Sequence, residues 1–153
     1  MASDLYHNRV LELAANIDHL DPIAGEEARV EKVSRVCGST VEVAIRLSDD
    51  GERVEAIQVD PKACALGQAA TAILAKDAVG ASVSEIREAL EGLRAMLKEN
   101  ADPPSGRFWE LRHLQGVADY PPRHTSTILA FDAAAAAIDQ ALKARTAQAA
   151  ITS

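Results

Sequence analysis

Residues 41–47 carry a large apolar side chain at every odd position and a small or charged one between, and this alternating pattern most limits what the chain can fold into. Such alternation is typical of a strand with one buried face and one exposed face. Gly38-Ser39 precedes the stretch and Asp49-Asp50-Gly51 follows it, and both are typical of hairpin turns. We expect neighbouring strands over residues 28–36 and 53–59. Three strands joined by short turns form an antiparallel meander, whose apolar face other elements must cover.

Helical patterns occur on both sides of the predicted sheet. Ser82 and Glu85 have the spacing of a capping box, which predicts that a helix starts there. Gly80 is a natural end for the helix before it. We expect a loop over residues 100–106, an extended connector over 119–123 and a frayed tail over 146–153. The predicted helices span residues 4–17, 64–78, 82–97, 107–115 and 125–145.

The order of these elements predicts the α+β fold class, with a three-stranded antiparallel meander covered by about five helices. The sheet falls within residues 28–59 and most of the helices within residues 64–145. A length of 153 residues corresponds to a single domain, and we expect residues 1–153 to form one.

Charge and hydropathy exclude several functional classes for this chain. The net charge of −7 and the absence of a basic block argue against nucleic-acid binding. The first ten residues, MASDLYHNRV, lack the apolar centre of a secretory signal, and Asp132 interrupts the apolar stretch LAFDAAAAAI. We therefore expect a cytoplasmic protein that does not enter membranes. Its cysteines are expected to be reduced or metal-bound.

Cys37 and Cys64 are the two cysteines of the chain, and each is placed where a thiolate would be useful. Cys37 falls in the predicted turn between the first two strands, and Cys64 at the start of a predicted helix. A helix start favours the thiolate, which is the form that binds metal or attacks sulfur. Two interpretations stay open from the residues alone, namely a shared metal or sulfur site and two small buried side chains.

Several segments together resemble the NifU-like family of iron–sulfur cluster assembly scaffolds, of the IscU/SufU type. DLY…HLDPIAG is similar to the family's LY…HxxNPxNxG segment, and VCGST…DPKACALGQAATAIL is similar to its central CGD…GCAxSxASAS core. LQGVADYPPRHTSTILAFDAAAAAI is similar to the SufU-type GVxxFPARxKCAxLAWxAL. The resemblance runs from about residue 4 to residue 145, and it implies the SufE/NifU-like fold.

The resemblance also implies a ligand set. In the family, three cysteines and an aspartate hold iron and sulfide, or zinc in place of a cluster. The first two cysteines fall on Cys37 and Cys64, the third falls on Ser126, and the aspartate falls on Ser39. A histidine found before the third cysteine in IscU-type members falls on Thr125. Hydroxyls are far poorer ligands for iron or zinc than thiolates are, so the set is degenerate.

Other side chains compete for the vacant ligand positions. His124 lies two residues before Ser126 and is a candidate third ligand, and His113 is a weaker one. Ser126 is better suited to capping the last helix than to binding metal. Ser39 is suited to the hairpin turn.

Three functional hypotheses remain. The first is an iron–sulfur scaffold or carrier that binds a cluster, with [2Fe–2S] preferred, or zinc. A homodimer would bring four thiolates together. The second is a sulfur acceptor that takes persulfide from a cysteine desulfurase, and the third is a metal-free partner protein with a decayed site. Cysteine desulfurase and iron–sulfur acceptor proteins are the partners that the resemblance implies. No arrangement typical of an enzyme active site is found.

Overall fold

Three antiparallel strands form the sheet, with β2 at its centre and β1 and β3 at its edges. The computed structural model describes residues 5–152. β1 spans Ala28–Val33, β2 spans Thr40–Leu47 and β3 spans Val54–Lys62. The meander predicted from the alternating pattern is confirmed, and so is the α+β fold class.

Four α-helices accompany the sheet within residues 5–152, together with two 3-10 stretches in the C-terminal half of the chain. α4 packs on β1 and β2, and α2 packs on β3. The other helices pack on α2 and α4, so one face of the sheet is covered. Among the described residues, no helix combines the length and the apolar character needed to cross a bilayer. The helical elements are α1 (Asn8–Ala15), α2 (Ala65–Ala78), α3 (Val83–Lys98), the long 3-10 segment (Gly106–Asp119), the short 3-10 turn (Pro121–Arg123) and α4 (His124–Thr152).

The start of α3 follows from its sequence. Ser82 Oγ accepts a hydrogen bond of 3.0 Å from the Glu85 backbone N–H. The Glu85 carboxylate accepts one of 2.9 Å from the Ser82 backbone N–H. The capping box is confirmed, and it satisfies two of the N–H groups that a helix start leaves unpaired.

The predicted bounds of the first helix and the strands need correction. The helix predicted over 4–17 spans Asn8–Ala15, because His7 is extended; residue 4 lies outside the described residues. β1 ends at Val33 rather than at residue 36, because the chain turns over residues 35–37. β3 runs past residue 59 and includes Pro61, which is tolerated because β3 is an edge strand.

The C-terminal half differs more from expectation. The frayed tail predicted after residue 145 is wrong, since α4 continues to Thr152 without a glycine or proline to end it. The helix predicted over 107–115 is the longer 3-10 segment. The extended connector is also wrong, since Pro121–Arg123 forms a 3-10 turn. Proline fits the first turn of a helix because its missing N–H would be unpaired there.

Partly buried ion pairs connect helices at a distance from the cysteines. Glu110, whose side chain is only 6% exposed, accepts hydrogen bonds from Arg9 (2.9 Å to Nε) and Lys76 (3.1 Å to Nζ). Burial raises the pKa of Glu110, but the bonds from Arg9 and Lys76 outweigh it and hold that pKa below its usual value. Glu27 and Arg145 pair at 2.7 Å and join the loop before β1 to α4.

Candidate metal and sulfur site

The two cysteines lie at the same end of the sheet. Val33, the last residue of β1, pairs with Thr40, the first residue of β2. Thr40 in turn pairs with Lys62, the last residue of β3. Cys37 is in the turn between β1 and β2, and Cys64 follows β3 by two residues. The meander therefore brings together two residues that are 27 positions apart in sequence.

Cys37 is exposed in a tight turn and is surrounded by hydroxyls. Its Sγ lies 3.5 Å from Ser34 Oγ and 3.1 Å from Ser39 Oγ. The Ser34 N–H donates to the Ser39 carbonyl at 2.8 Å, and the Gly38 N–H donates to the Ser34 carbonyl at 2.8 Å. Gly38 has a φ of +76°, which a residue with a side chain rarely adopts, as the turn pattern predicted.

These hydroxyls change the acidity of the Cys37 thiol. Hydrogen bonds from Ser34 and then Ser39 to the thiolate lower the pKa of Cys37 from 9.0 to about 7. Burial opposes the shift, and the Ser126 hydroxyl adds to it. At neutral pH a large fraction of Cys37 is therefore the nucleophilic thiolate.

Cys64 is half-buried and occupies the residue just before α2. Its backbone is extended, with φ −67° and ψ 171°, and its carbonyl accepts a 2.9 Å hydrogen bond from the Gln68 N–H. Its Sγ lies 3.9 Å from Ser126 Oγ. The thiol is thus directed toward the first turn of α4.

Ser126 is fully buried and lies close to both thiols. The helix-cap interpretation of this residue is wrong, because α4 already begins at His124. Its hydroxyl instead donates to the Arg123 carbonyl at 3.1 Å, and its oxygen accepts from the Cys64 thiol at 3.9 Å. Ser39 is in the turn, as expected, and also contacts Cys37. The four residues Cys37, Cys64, Ser39 and Ser126 therefore form one cluster.

Gly67 allows α2 and α4 to approach closely enough to form this cluster. A Cβ at Gly67 would lie 3.1 Å from the Ser126 carbonyl oxygen and 2.8 Å from the Ala63 Cβ. Distances this short require a shift of the backbone. The glycine thus fixes how near Cys64 comes to Ser126.

The candidate histidines have other contacts. His124 is buried, and its Nε2 donates to the Val117 and Ala118 carbonyls at 3.0 and 3.1 Å. Carbonyls only accept hydrogen bonds, so Nε2 carries the proton and this nitrogen is not a ligand as it stands. His113 lies against His7, with ring centroids 5.8 Å apart, and beside Glu110. Within residues 5–152, neither histidine is hydrogen-bonded to a thiol.

The donor set of one chain is incomplete for a metal. Among residues 5–152, no group of three His, Cys, Asp or Glu side chains is placed to hold an ion. The cluster supplies two sulfurs, and its other members are hydroxyls. Ser34 was missed by the sequence analysis, although a hydroxyl three residues before a cysteine in a turn is a signal that could have identified it.

Comparison with known proteins decides the family. Residues 5–127 match the model of the NifU-like N-terminal domain. The chain belongs to this family. A crystal structure of a NifU-like protein (N-terminal) from Brucella abortus is 39% identical, with a TM-score of 0.89. The match covers 93% of this chain and 97% of the Brucella chain.

More distant structures share the fold of this NifU-like chain. One is described as a putative iron–sulfur cluster assembly scaffold protein for the SUF system from Fervidobacterium islandicum AW-1. It is 16% identical with a TM-score of 0.80, and the match covers 90% of this chain and 99% of that one. None of the curated proteins matches the sequence.

Proposed function

We propose that this NifU-like chain is an iron–sulfur cluster assembly scaffold or carrier, which binds iron and sulfide through Cys37 and Cys64 and passes them to acceptor proteins. The supporting observation is that both thiols lie close to one buried hydroxyl, that of Ser126. Family membership adds to this support. A cytoplasmic setting, where thiols stay reduced, is part of the proposal.

The two thiols determine how a cluster would be held. A [2Fe–2S] cluster takes four thiolates, and this chain supplies two, both at the end of the sheet where Ser126 lies. A two-fold pair of chains would supply Cys37 and Cys64 twice, and two-fold dimers are the commonest oligomers. The expected stoichiometry is one cluster per two chains. Zinc held by the same thiolates is the other outcome that this chemistry allows.

Metal and acid-labile sulfide content tests the scaffold proposal. Both are measured per chain on protein purified without oxygen, beside a Cys37→Ser/Cys64→Ser variant. We expect about one iron and one sulfide per chain, lost together in the variant. Zinc without sulfide would move the proposal to sulfur acceptance. Protein without iron, sulfide or zinc would contradict the scaffold and leave a metal-free partner protein.

A second candidate function, a sulfur acceptor, is favoured by the environment of Cys37. The thiol is exposed, and its pKa is lowered to about 7. Such a thiolate can attack the terminal sulfur of a persulfide on a cysteine desulfurase. Cys37 would then carry the persulfide, and the desulfurase thiolate would leave.

This second candidate is tested by transfer of labelled sulfur from a cysteine desulfurase and mass analysis of the metal-free chain. Cys64→Ser should retain the added sulfur, and Cys37→Ser should lose it. Sulfur found only on Cys64 would contradict the assignment to Cys37.

A further inference from the structure

Five cationic side chains stand apart from the ion-pair network. The chain has 16 lysines and arginines against 23 aspartates and glutamates, so most cations find an acidic partner. Within residues 5–152, five cations have neither an ion pair nor a side-chain hydrogen bond. They are Arg35, Lys62, Lys98, Arg123 and Lys143.

Three of these five lie within three residues of a member of the thiol cluster in the sequence. Arg35 is in the turn of Cys37, two residues before it, and is exposed. Lys62 is exposed at the end of β3, two residues before Cys64. Arg123 is partly exposed, and its carbonyl accepts the hydrogen bond from Ser126. We call these three residues the cation rim.

Acidic groups near the site do not neutralise the cation rim. Asp132 is engaged by Lys32 at 3.9 Å and by Arg94 at 3.4 Å. Asp119 borders a cavity with Met96 and Asn100 instead. Asp60 on β3 is exposed and offsets part of the charge of its strand neighbour Lys62. Within residues 5–152, Arg35 and Arg123 therefore remain without an acidic partner beside the thiols, in a chain whose net charge is −7.

We propose that the cation rim selects small anionic sulfur compounds, namely persulfides and disulfides that carry carboxylates, for reaction at Cys37. The inference rests on the proposed sulfur-acceptor role and adds small donors to the desulfurase persulfide proposed there. Guanidinium groups bind carboxylates with two parallel hydrogen bonds, and the ammonium of Lys62 adds a third point of attraction. A carboxylate-bearing donor is thereby held with its sulfur next to Cys37.

The chemistry balances without another reagent. The Cys37 thiolate attacks the terminal sulfur of a donor R–S–SH, and a new sulfur–sulfur bond forms. The donor's own sulfur–sulfur bond breaks, and RS⁻ leaves with the electron pair. The products are Cys37–S–SH and the small thiolate. With a symmetric disulfide RSSR the same attack gives Cys37–S–SR and RS⁻.

The test compares two disulfides of opposite charge on metal-free Cys64→Ser protein, in which Cys37 alone reacts. Oxidised glutathione carries four carboxylates and cystamine carries two ammonium groups. Mass spectrometry measures the rate at which Cys37 reacts with each disulfide, and the rate with oxidised glutathione is divided by the rate with cystamine. This ratio for the folded protein is then divided by the same ratio for the urea-unfolded chain. The thiolate fraction and the leaving-group reactivity largely cancel in this quotient.

We expect the folded protein to favour oxidised glutathione by about tenfold at low salt, and less as salt is added. The net charge of −7 alone would favour cystamine. Arg35→Gln/Arg123→Gln should abolish the preference, whereas Lys98→Gln/Lys143→Gln should retain it, and the two variants have equal net charge. A quotient of one or less would mean that the folded protein does not favour oxidised glutathione, and this would overturn the proposal. An equal loss of the preference in the arginine and lysine variants would overturn it as well. The measurement needs no metal, so its outcome is independent of whether the protein assembles a cluster.

Discussion

The thiol cluster and the Glu110 cluster lie in the same molecule but are built in opposite ways. Around Glu110 a buried carboxylate is matched by Arg9 and Lys76, so that each charge has a partner. Around Cys37 the neighbours are neutral hydroxyls, and the nearby cations Arg35 and Arg123 have no acidic partner.

The difference separates a structural contact from a reactive one. Paired charges, each satisfied by the other, fasten α1 to α2 and the long 3-10 segment. The hydroxyls stabilise the thiolate of Cys37 without occupying its outer side, and the unpaired cations remain able to bind an anion. The charges of the Glu110 cluster are all paired within the protein. The thiol cluster, in contrast, keeps groups that can bind a ligand.

The largest expected effect comes from restoring the third sulfur. Ser126→Cys places a thiol where the hydroxyl now lies 3.9 Å from Cys64. Removing a hydrogen bond to a metal ligand typically lowers the affinity for the metal by roughly 10- to 100-fold. An additional thiolate ligand should have a larger effect, so we expect the zinc affinity of Ser126→Cys to rise by at least this factor. A competition titration with a chelating dye measures it. Ser48→Cys, in the distant hairpin, is the control, and equal affinity in both variants would contradict the geometry of the site.

A smaller effect is expected at the Glu110 cluster. Glu110→Gln removes the charge that two cations share, and the free energy of unfolding in urea should fall by about 2 kcal/mol. Glu91→Gln, whose side chain is 71% exposed beside Arg94, should change it by less than about 0.5 kcal/mol. The alkylation rate of Cys37 should stay unchanged in both. A drop in that rate for Glu110→Gln would mean that the two clusters are coupled.

Removal of one hydroxyl should change the reactivity of Cys37. Ser39→Ala takes away a hydrogen bond of 3.1 Å and should raise the pKa of Cys37. The alkylation rate at pH 7 should then fall by roughly three- to tenfold, because fewer thiols are ionised. Ser48→Ala serves as the control. An unchanged rate for Ser39→Ala would show that this hydroxyl does not stabilise the thiolate.

The smallest effect concerns stability against pH. The pKa of Cys37 is about 7 in the folded chain against its ordinary 9.0, so folding favours the thiolate. Its contribution is therefore complete above pH 9, declines toward pH 7 and is lost below that. The difference in unfolding free energy between wild type and Cys37→Ser should follow this course. Exposure limits it to less than about 1 kcal/mol. A difference that stays constant from pH 6 to pH 10 would contradict the lowered pKa.

Parts of the fold with strong local signals could be predicted from the sequence. The alternation in β2 and the capping box of Ser82 and Glu85 both specify their elements through neighbouring residues. The end of α4 was predicted too early, at residue 145, although no glycine or proline follows there. The lack of such a residue could have indicated that the helix continues. The 3-10 turn after Tyr120 was missed because two prolines fit both an extended chain and a helix start.

The site could be predicted less fully. Their sequence positions led to Cys37 and Cys64, and family resemblance led to Ser39 and Ser126; the structure places these four together. The hydrogen bonds of His124 to two carbonyls depend on how the long 3-10 segment packs against α4, which no local pattern encodes. The same holds for Glu110, whose partners Arg9 and Lys76 are far from it in sequence.

The turn that carries Cys37 also determines how wide the site can open. Cys64 and Ser126 belong to helical ends held in contact at Gly67, and moving either would disturb the packed interior. Cys37 projects from a hairpin that includes Gly38, and small changes in its backbone angles cost little. The distance between the Cys37 and Cys64 sulfurs can therefore change through movement of the Cys37 turn, but not through movement of the helices. A bound ion or cluster of a different radius would be accommodated by this hairpin, while the helices keep their places.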